Sequence, residues 1–202
     1  MRIAVLVYGR LNACAEHHAN IVESLGQPVD FFLSSDNAPA PFLQSFLRLY
    51  NPIAYTNAPI HYDADLGRYP GKRHETVIDS MTRHFINKNR VVSLLEKSSI
   101  PYDCVVSLRV DSFFNEKFNF DDLRDNTIYI PHGCDFVSHA INDQLAYGKM
   151  DVMKKYNSIN PILLLERKLS IPHPESLTYA NIVYHQLKVQ RVPLNYVLIR
   201  RL

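Results

Sequence analysis

The chain has 202 residues, enough for one domain with a sizeable core and too few for two comfortable ones. Apolar residues make up 47% and charged residues 21%, which excludes wholesale disorder. The formal net charge is only +2, which excludes the basic excess of a dedicated nucleic-acid binder, so no nucleic-acid partner is expected.

Cys14, Cys104 and Cys134 form no C-x-x-C pair, and an odd number of cysteines does not suggest a disulfide framework. Cys104 sits in an apolar run and reads as a buried thiol, which fits a reducing compartment. The opening run Ile3 to Val7 is too short for a signal-peptide core or a membrane span. The expectation is a cytosolic protein without a membrane span, in the host cytosol if the source is viral.

Arg2 to Tyr8 is a continuous apolar run, as in a strand buried on both faces, and Gly9-Arg10 ends it. Ala13 to Leu25 predicts a helix stopped by Gly26. Val29 to Leu33 predicts a second strand with Ser34-Ser35-Asp36-Asn37 at its carboxyl end. Phe42 to Tyr50 reads as a short helix and Ile53 to Tyr55 as a short strand. Thr56 to Lys72 is irregular, and a loop that long is usually functional or mobile. The longest helix is expected over Glu75 to Lys97, with Ile78, Met81, Phe85, Val92 and Leu95 on its apolar face and Asn89 among them. Cys104 to Leu108 is a core strand, and the aromatic stretch after Asp111 reads as turns. Thr127 to Ile130 is a strand. Asn142 to Gly148 passes from polar to apolar, and a helix starts near Met150. Proline at a first helical position places another helix from Pro174 to about Leu187. Val189 to Val192 and Asn195 to Arg200 read as closing strands. Alternation through the first half implies parallel strands with right-handed crossovers, and the later part is expected to include antiparallel strands.

In such a sheet, ligands bind beyond the carboxyl ends of the strands. Gly9-Arg10, Ser34 to Asn37 and Arg109 to Ser112 all sit there, so one crevice is expected to gather them. Arg109-Val110-Asp111 ends a core strand in two charges, and two readings stand equal. One is an ion pair closing the sheet. The other is an arginine for a diphosphate and a carboxylate for a hard cation. Asp103 lies about 26 Å from Asp111 along a continuous strand, so it reads as a cap or pairing partner at the other end. Asn142-Asp143-Gln144 is either a turn or cap, which these residue types favour, or the lining of a sugar pocket. A buried Asn89 bonds to backbone or faces a nucleotide. His173 is a structural histidine or a weak metal-ligand candidate.

The motifs IAVLVYGR, YDCVVSLRVDSFF, INDQLAYGKMDVMKKY, HPESLTYANIVYHQL and YVLIR, in that order, resemble small glycosyltransferase-like proteins of bacterial capsule and surface-glycan loci and of large viruses, in the GT-A class. The match touches most of the chain, with little between Ala38 and Arg73. The resemblance implies a single-domain α/β, GT-A (Rossmann-like) fold with a mixed, mainly parallel sheet flanked by helices. It implies a nucleoside-diphosphate-sugar donor, UDP-linked, a glycan or glycoprotein acceptor, and Mn²⁺ or Mg²⁺ at the diphosphate. Tyr8, Gly9, Arg10, Asn89, Arg109 and Asp111 would hold the donor. Asp111 would contact the metal, with His173, the diphosphate or water as further ligands. Arg109 stands where an Asp-x-Asp motif has its first aspartate, and it would share the charge work of a cation. Asp143 and Gln144 would face the transferred sugar, as a base for the acceptor hydroxyl or as stabilisers of an oxocarbenium-like transition state.

Overall fold

The computed structural model describes residues 1–12, 14–62, 72–133, 135, 140–160 and 173–199, with only the backbone at 72–77. In chain order the elements are β1 (Ile3–Tyr8), α1 (Cys14–Leu25), β2 (Val29–Ser34), α2 (Ala40–Tyr50), β3 (Ala54–Thr56), α3 (Lys72–Lys97), β4 (Cys104–Leu108), β5 (Ser112–Phe114), β6 (Thr127–Pro131), β7 (Leu145–Gly148), α4 (Met150–Asn157), α5 (Pro174–Tyr184), β8 (Lys188–Val192) and β9 (Tyr196–Leu198).

A seven-stranded sheet runs β3-β2-β1-β4-β7-β6-β8. β3, β2, β1 and β4 pair in parallel, β7 runs antiparallel to both β4 and β6, and β8 is parallel to β6. The fold is therefore α/β, with a mostly parallel mixed sheet compatible with a Rossmann-like architecture. β5 and β9 form a separate two-stranded antiparallel sheet.

All six residues of β1 are buried. Period-2 alternation sends Ile3, Val5 and Val7 to a layer with α1, α2 and Phe114 of β5. It sends Ala4, Leu6 and Tyr8 to the opposite layer, with α3, α4 and Ile182 of α5. A strand covered on both sides needs apolar residues throughout, which is why β1, β2 and β4 stand out as runs. On α3, Ile78, Met81, Phe85, Val92 and Leu95 are buried as the helical period requires. α2 ends on Asn51 at φ 43°, whose N–H bonds back to the Leu47 carbonyl.

The structure adds two strands to the expected set. Leu145 to Gly148 is β7 rather than a featureless approach to a helix. Ser112 to Phe114 is β5 rather than a turn, and it pairs with the closing strand Tyr196–Leu198. The helix after Pro174 stops at Tyr184, and Gln186 turns the chain at φ 53°. Asp103 lies at the amino edge, where its Oδ2 accepts the Arg2 N–H at 2.7 Å. Residues 63–71 of the long irregular segment, and Cys134, lie outside the described residues. Cys14 and Cys104 are free and buried. No described helix is long and apolar enough to cross a membrane.

Gly148 lets β7 pack closely, because a Cβ there would meet the Thr127 carbonyl oxygen at 3.0 Å. Gly148→Ala is expected to lower stability by about 1–3 kcal/mol in chemical denaturation. An unchanged midpoint would contradict this packing.

Candidate functional site

Parallel registers align strand ends. Tyr8 of β1 lies opposite Ser34 of β2, and Val7 lies opposite both Leu33 and Leu108 of β4. The segments Gly9-Arg10, Ser35 to Asn37 and Arg109 to Asp111 therefore leave the sheet side by side. Because β7 is antiparallel, its first residue, Leu145, pairs with the last of β4, Leu108. Asn142, Asp143 and Gln144 thus arrive at the same edge. α3 must return from β3 to β4, so its first half also starts there.

The ends of β1, β2 and β4 enclose, with α3, a cavity of about 610 Å³, within the usual range for small-molecule sites. Gly9, Arg10, Asp36, Asn37, Arg109 and Asp111 line it from the strand ends. Leu11, Pro39 and Phe42 add an apolar wall, and α3 contributes Ser80, Arg83, His84 and Asn87. Gly9 takes φ 99°, a region open to glycine, and its N–H bonds to the Ser34 carbonyl at 3.1 Å.

Of the two readings of Arg109-Val110-Asp111, the ion pair is the one formed. Arg109 Nε and Nη2 reach the two oxygens of Asp111 at 2.9 and 2.6 Å. Both side chains still border the cavity, while Val110 is buried on the sheet's other side. Burial opposes the Arg109 charge, but the Asp111 carboxylate more than compensates and holds the guanidinium cationic. Arg83 bonds Asp36 at 2.6 Å and Asp79 at 2.9 Å, tying α3 to the end of β2. Asn87 accepts the Ser34 hydroxyl at 2.8 Å.

Behind the cavity lies a buried charged cluster. Asp143 is 6% exposed and is absent from the cavity wall; His84 stands between. His84 Nε2 lies 3.2 Å from Asp143 Oδ2, in ion-pair range though off the line of a straight hydrogen bond. The His84 ring meets Tyr8 edge-on at 5.2 Å. Lys88 is fully buried, with Nζ 4.3 Å from the Tyr156 ring centre and 5.4 Å from that of Tyr8. Lys88 Nζ and the Tyr8 hydroxyl both donate to the Asp143 backbone carbonyl, at 3.4 and 3.2 Å.

Burial alone would raise the Asp143 carboxyl, but His84, Lys88 and Arg109 hold it below the usual range. Burial lowers the His84 imidazole; Asp143 resists that, while Lys88 and Arg109 add to it. Burial pushes the Lys88 ammonium down to about 8, against the pull of Asp143.

Three expected site residues lie elsewhere. Asn89 does not line the cavity, because its amide donates to the Ile159 carbonyl at 2.6 Å on another part of α3. Gln144 is turned away too, and its Oε1 accepts the Tyr196 hydroxyl at 3.1 Å. His173 flanks α5, where its Nδ1 is 3.1 Å from Glu175 Oε2. Asp111 has both oxygens occupied by Arg109, and no group of three or more His, Cys, Asp or Glu converges among the described residues. The positive charge beside Asp111 is Arg109.

Sequence reasoning missed Ser80, Arg83, His84 and Asn87. Their spacing of three, four and seven places them on one helical face, the same period that marked the apolar face. Lys88 carries no such signal, since a helical lysine reads as solvated. No protein-family model matches the chain, and no curated protein matches it.

The buried lysine predicts a pH signature. Its pKa is about 8 in the fold against an ordinary value of 10.5, so the unfolded chain holds the extra proton between those values. Stability should rise with pH across that window by up to about 3 kcal/mol relative to Lys88→Met, read by urea denaturation. A difference that does not vary with pH would contradict the burial.

Proposed function

We propose that the chain is a glycosyltransferase of the GT-A class, moving a sugar from a nucleoside-diphosphate sugar, UDP-linked, to a glycan or glycoprotein acceptor. The observation that carries the reading is the cavity at the carboxyl ends of β1, β2 and β4, with three arginines on its wall. A crevice at this edge of an α/β sheet suits a nucleotide. Arg10, Arg83 and Arg109 supply charge for a diphosphate, with Arg109 suited to bidentate contact once it exchanges Asp111 for phosphate oxygens. Leu11, Pro39 and Phe42 offer an apolar surface for a base. The mixed, mainly parallel sheet is the architecture the sequence resemblance calls for, and the order of motifs supports the same reading.

Charge develops on the leaving diphosphate as the sugar departs, and guanidinium groups fixed beside it lower that barrier. Arg10, Arg83 and Arg109 supply such charge from the chain itself, and Mn²⁺ or Mg²⁺ at the diphosphate would add to it, with Asp111 as its contact.

UDP should raise the melting temperature in EDTA, and Arg109→Ala should weaken UDP binding at least about tenfold, the scale of one charged hydrogen bond. Calorimetric titration checks both. No response to UDP, GDP or CDP, with or without Mn²⁺, would sink the reading. A response strictly dependent on Mn²⁺ would return the charge role to a cation. Binding without hydrolysis of any nucleotide-sugar would favour a non-catalytic nucleotide-sugar or glycan-binding domain on the same cavity.

A further inference from the structure

Asp36 and Asp111 line the cavity in pairs with Arg83 and Arg109, whereas Asp143, brought to the same edge by β7, does not line it. The group that faces the cavity is His84. We propose that His84 is the catalytic general base of the transfer, with Asp143 and Lys88 as positioning residues. The inference rests on the transferase reading above and assigns the proton transfer within it.

The geometry orders the roles. His84 turns Nε2 toward Asp143 Oδ2 at 3.2 Å, and a carboxylate only accepts. With the proton of the neutral imidazole on Nε2, beside that carboxylate, Nδ1 is left as the basic nitrogen. Tyr8 and Phe85 hold the ring edge-on, with centroids 5.2 and 5.1 Å away. Asp143 stays in place because Lys88 and Tyr8 both donate to its backbone carbonyl.

Four titratable or charged groups act on the ring from the elements around it. Asp143 comes from the segment before β7, Tyr8 from β1, Arg109 from the end of β4, and Lys88 from α3 itself. Burial, and after it Lys88 and Arg109, hold the imidazole below its ordinary value against the pull of Asp143, which favours the neutral, proton-accepting form. Asp143 then stabilises the imidazolium as it forms, the division of labour in histidine–aspartate pairs generally. Asp143 is poorly suited to be the base directly, being buried and held below the usual carboxylate range.

In the step, the acceptor O–H bond breaks and its proton passes to Nδ1 of His84. The oxygen's electron pair forms the new bond to the anomeric carbon. The bond from that carbon to the diphosphate oxygen breaks, and its electron pair leaves with the nucleoside diphosphate beside Arg109. Attack opposite the leaving group inverts the anomeric centre. Water in place of the acceptor gives slow donor hydrolysis by the same route.

The test uses UDP-glucose, UDP-galactose, UDP-N-acetylglucosamine and GDP-mannose, with hydrolysis measured against pH and UDP melting shifts measured alongside. His84→Gln keeps a donor for Asp143 and loses the basic nitrogen. It should retain the UDP shift and lose about 10²–10⁴-fold in hydrolysis rate. Asp143→Asn should move the acid limb of the rate profile to lower pH, because Asp143 props up the imidazole pKa. Hydrolysis by His84→Gln at the wild-type rate, or an unmoved acid limb, overturns the proposal. So does a wild type that binds UDP but hydrolyses no donor. A wild type that UDP does not stabilise defeats the transferase reading itself. If His84→Gln fails to fold, nitrogen NMR of the wild-type imidazole decides, since a proton on Nδ1 rather than Nε2 at pH 7 excludes the role.

Discussion

β1 is hydrogen-bonded in parallel to β2 on one side and β4 on the other, with every residue buried between two helical layers. Parallel pairing forces all three strands to end at one edge, and it forces α3 to begin there on its way to β4. The reversed strand β7 brings a fourth segment to that edge from the opposite direction. These pairings and the start of α3 place most polar groups of the candidate site, with a left-handed turn at Gly9. A one-residue slip of β1 would turn Tyr8 to the α1 layer and break its contacts with His84 and Asp143.

The site separates charge by depth. At the cavity wall, Arg109 and Arg83 are held by Asp111 and Asp36 in pairs that a stronger anion, such as a diphosphate, can enter. Deeper in, Asp143 and Lys88 are removed from water, and each makes the other tolerable. The aromatic faces of Tyr8 and Tyr156 give the ammonium further compensation. His84 joins the two levels, touching Asp143 behind and the cavity in front.

How much of this the sequence carried depends on how local each signal is. β1, β2 and β4 are legible because double burial writes itself as unbroken apolar runs. The convergence of Gly9-Arg10, Asp36-Asn37 and Arg109 follows from alternating strands and helices alone. β5 and β7 span three and four residues, too few for alternation to show, and only pairing partners far along the chain define them. Asn89 reads as buried and polar; it is half-buried, and its Ile159 partner is a tertiary contact. The polar stripe of α3 was legible at helical spacing, whereas the burial of Lys88 depends on Tyr8 and Tyr156 from two other elements.

The central claim, that nucleotide binds at the shared edge of β1, β2 and β4, is tested most directly by titrating ¹⁵N-labelled protein with UDP and following backbone amides by NMR. The account predicts shifts concentrated at Gly9 to Asn12, Asp36 to Ala38, Ser80 to Asn87 and Arg109 to Asp111, with β8 and the amino ends of the strands unmoved. Shifts confined to β8 and α5, or none at saturating UDP, would contradict it.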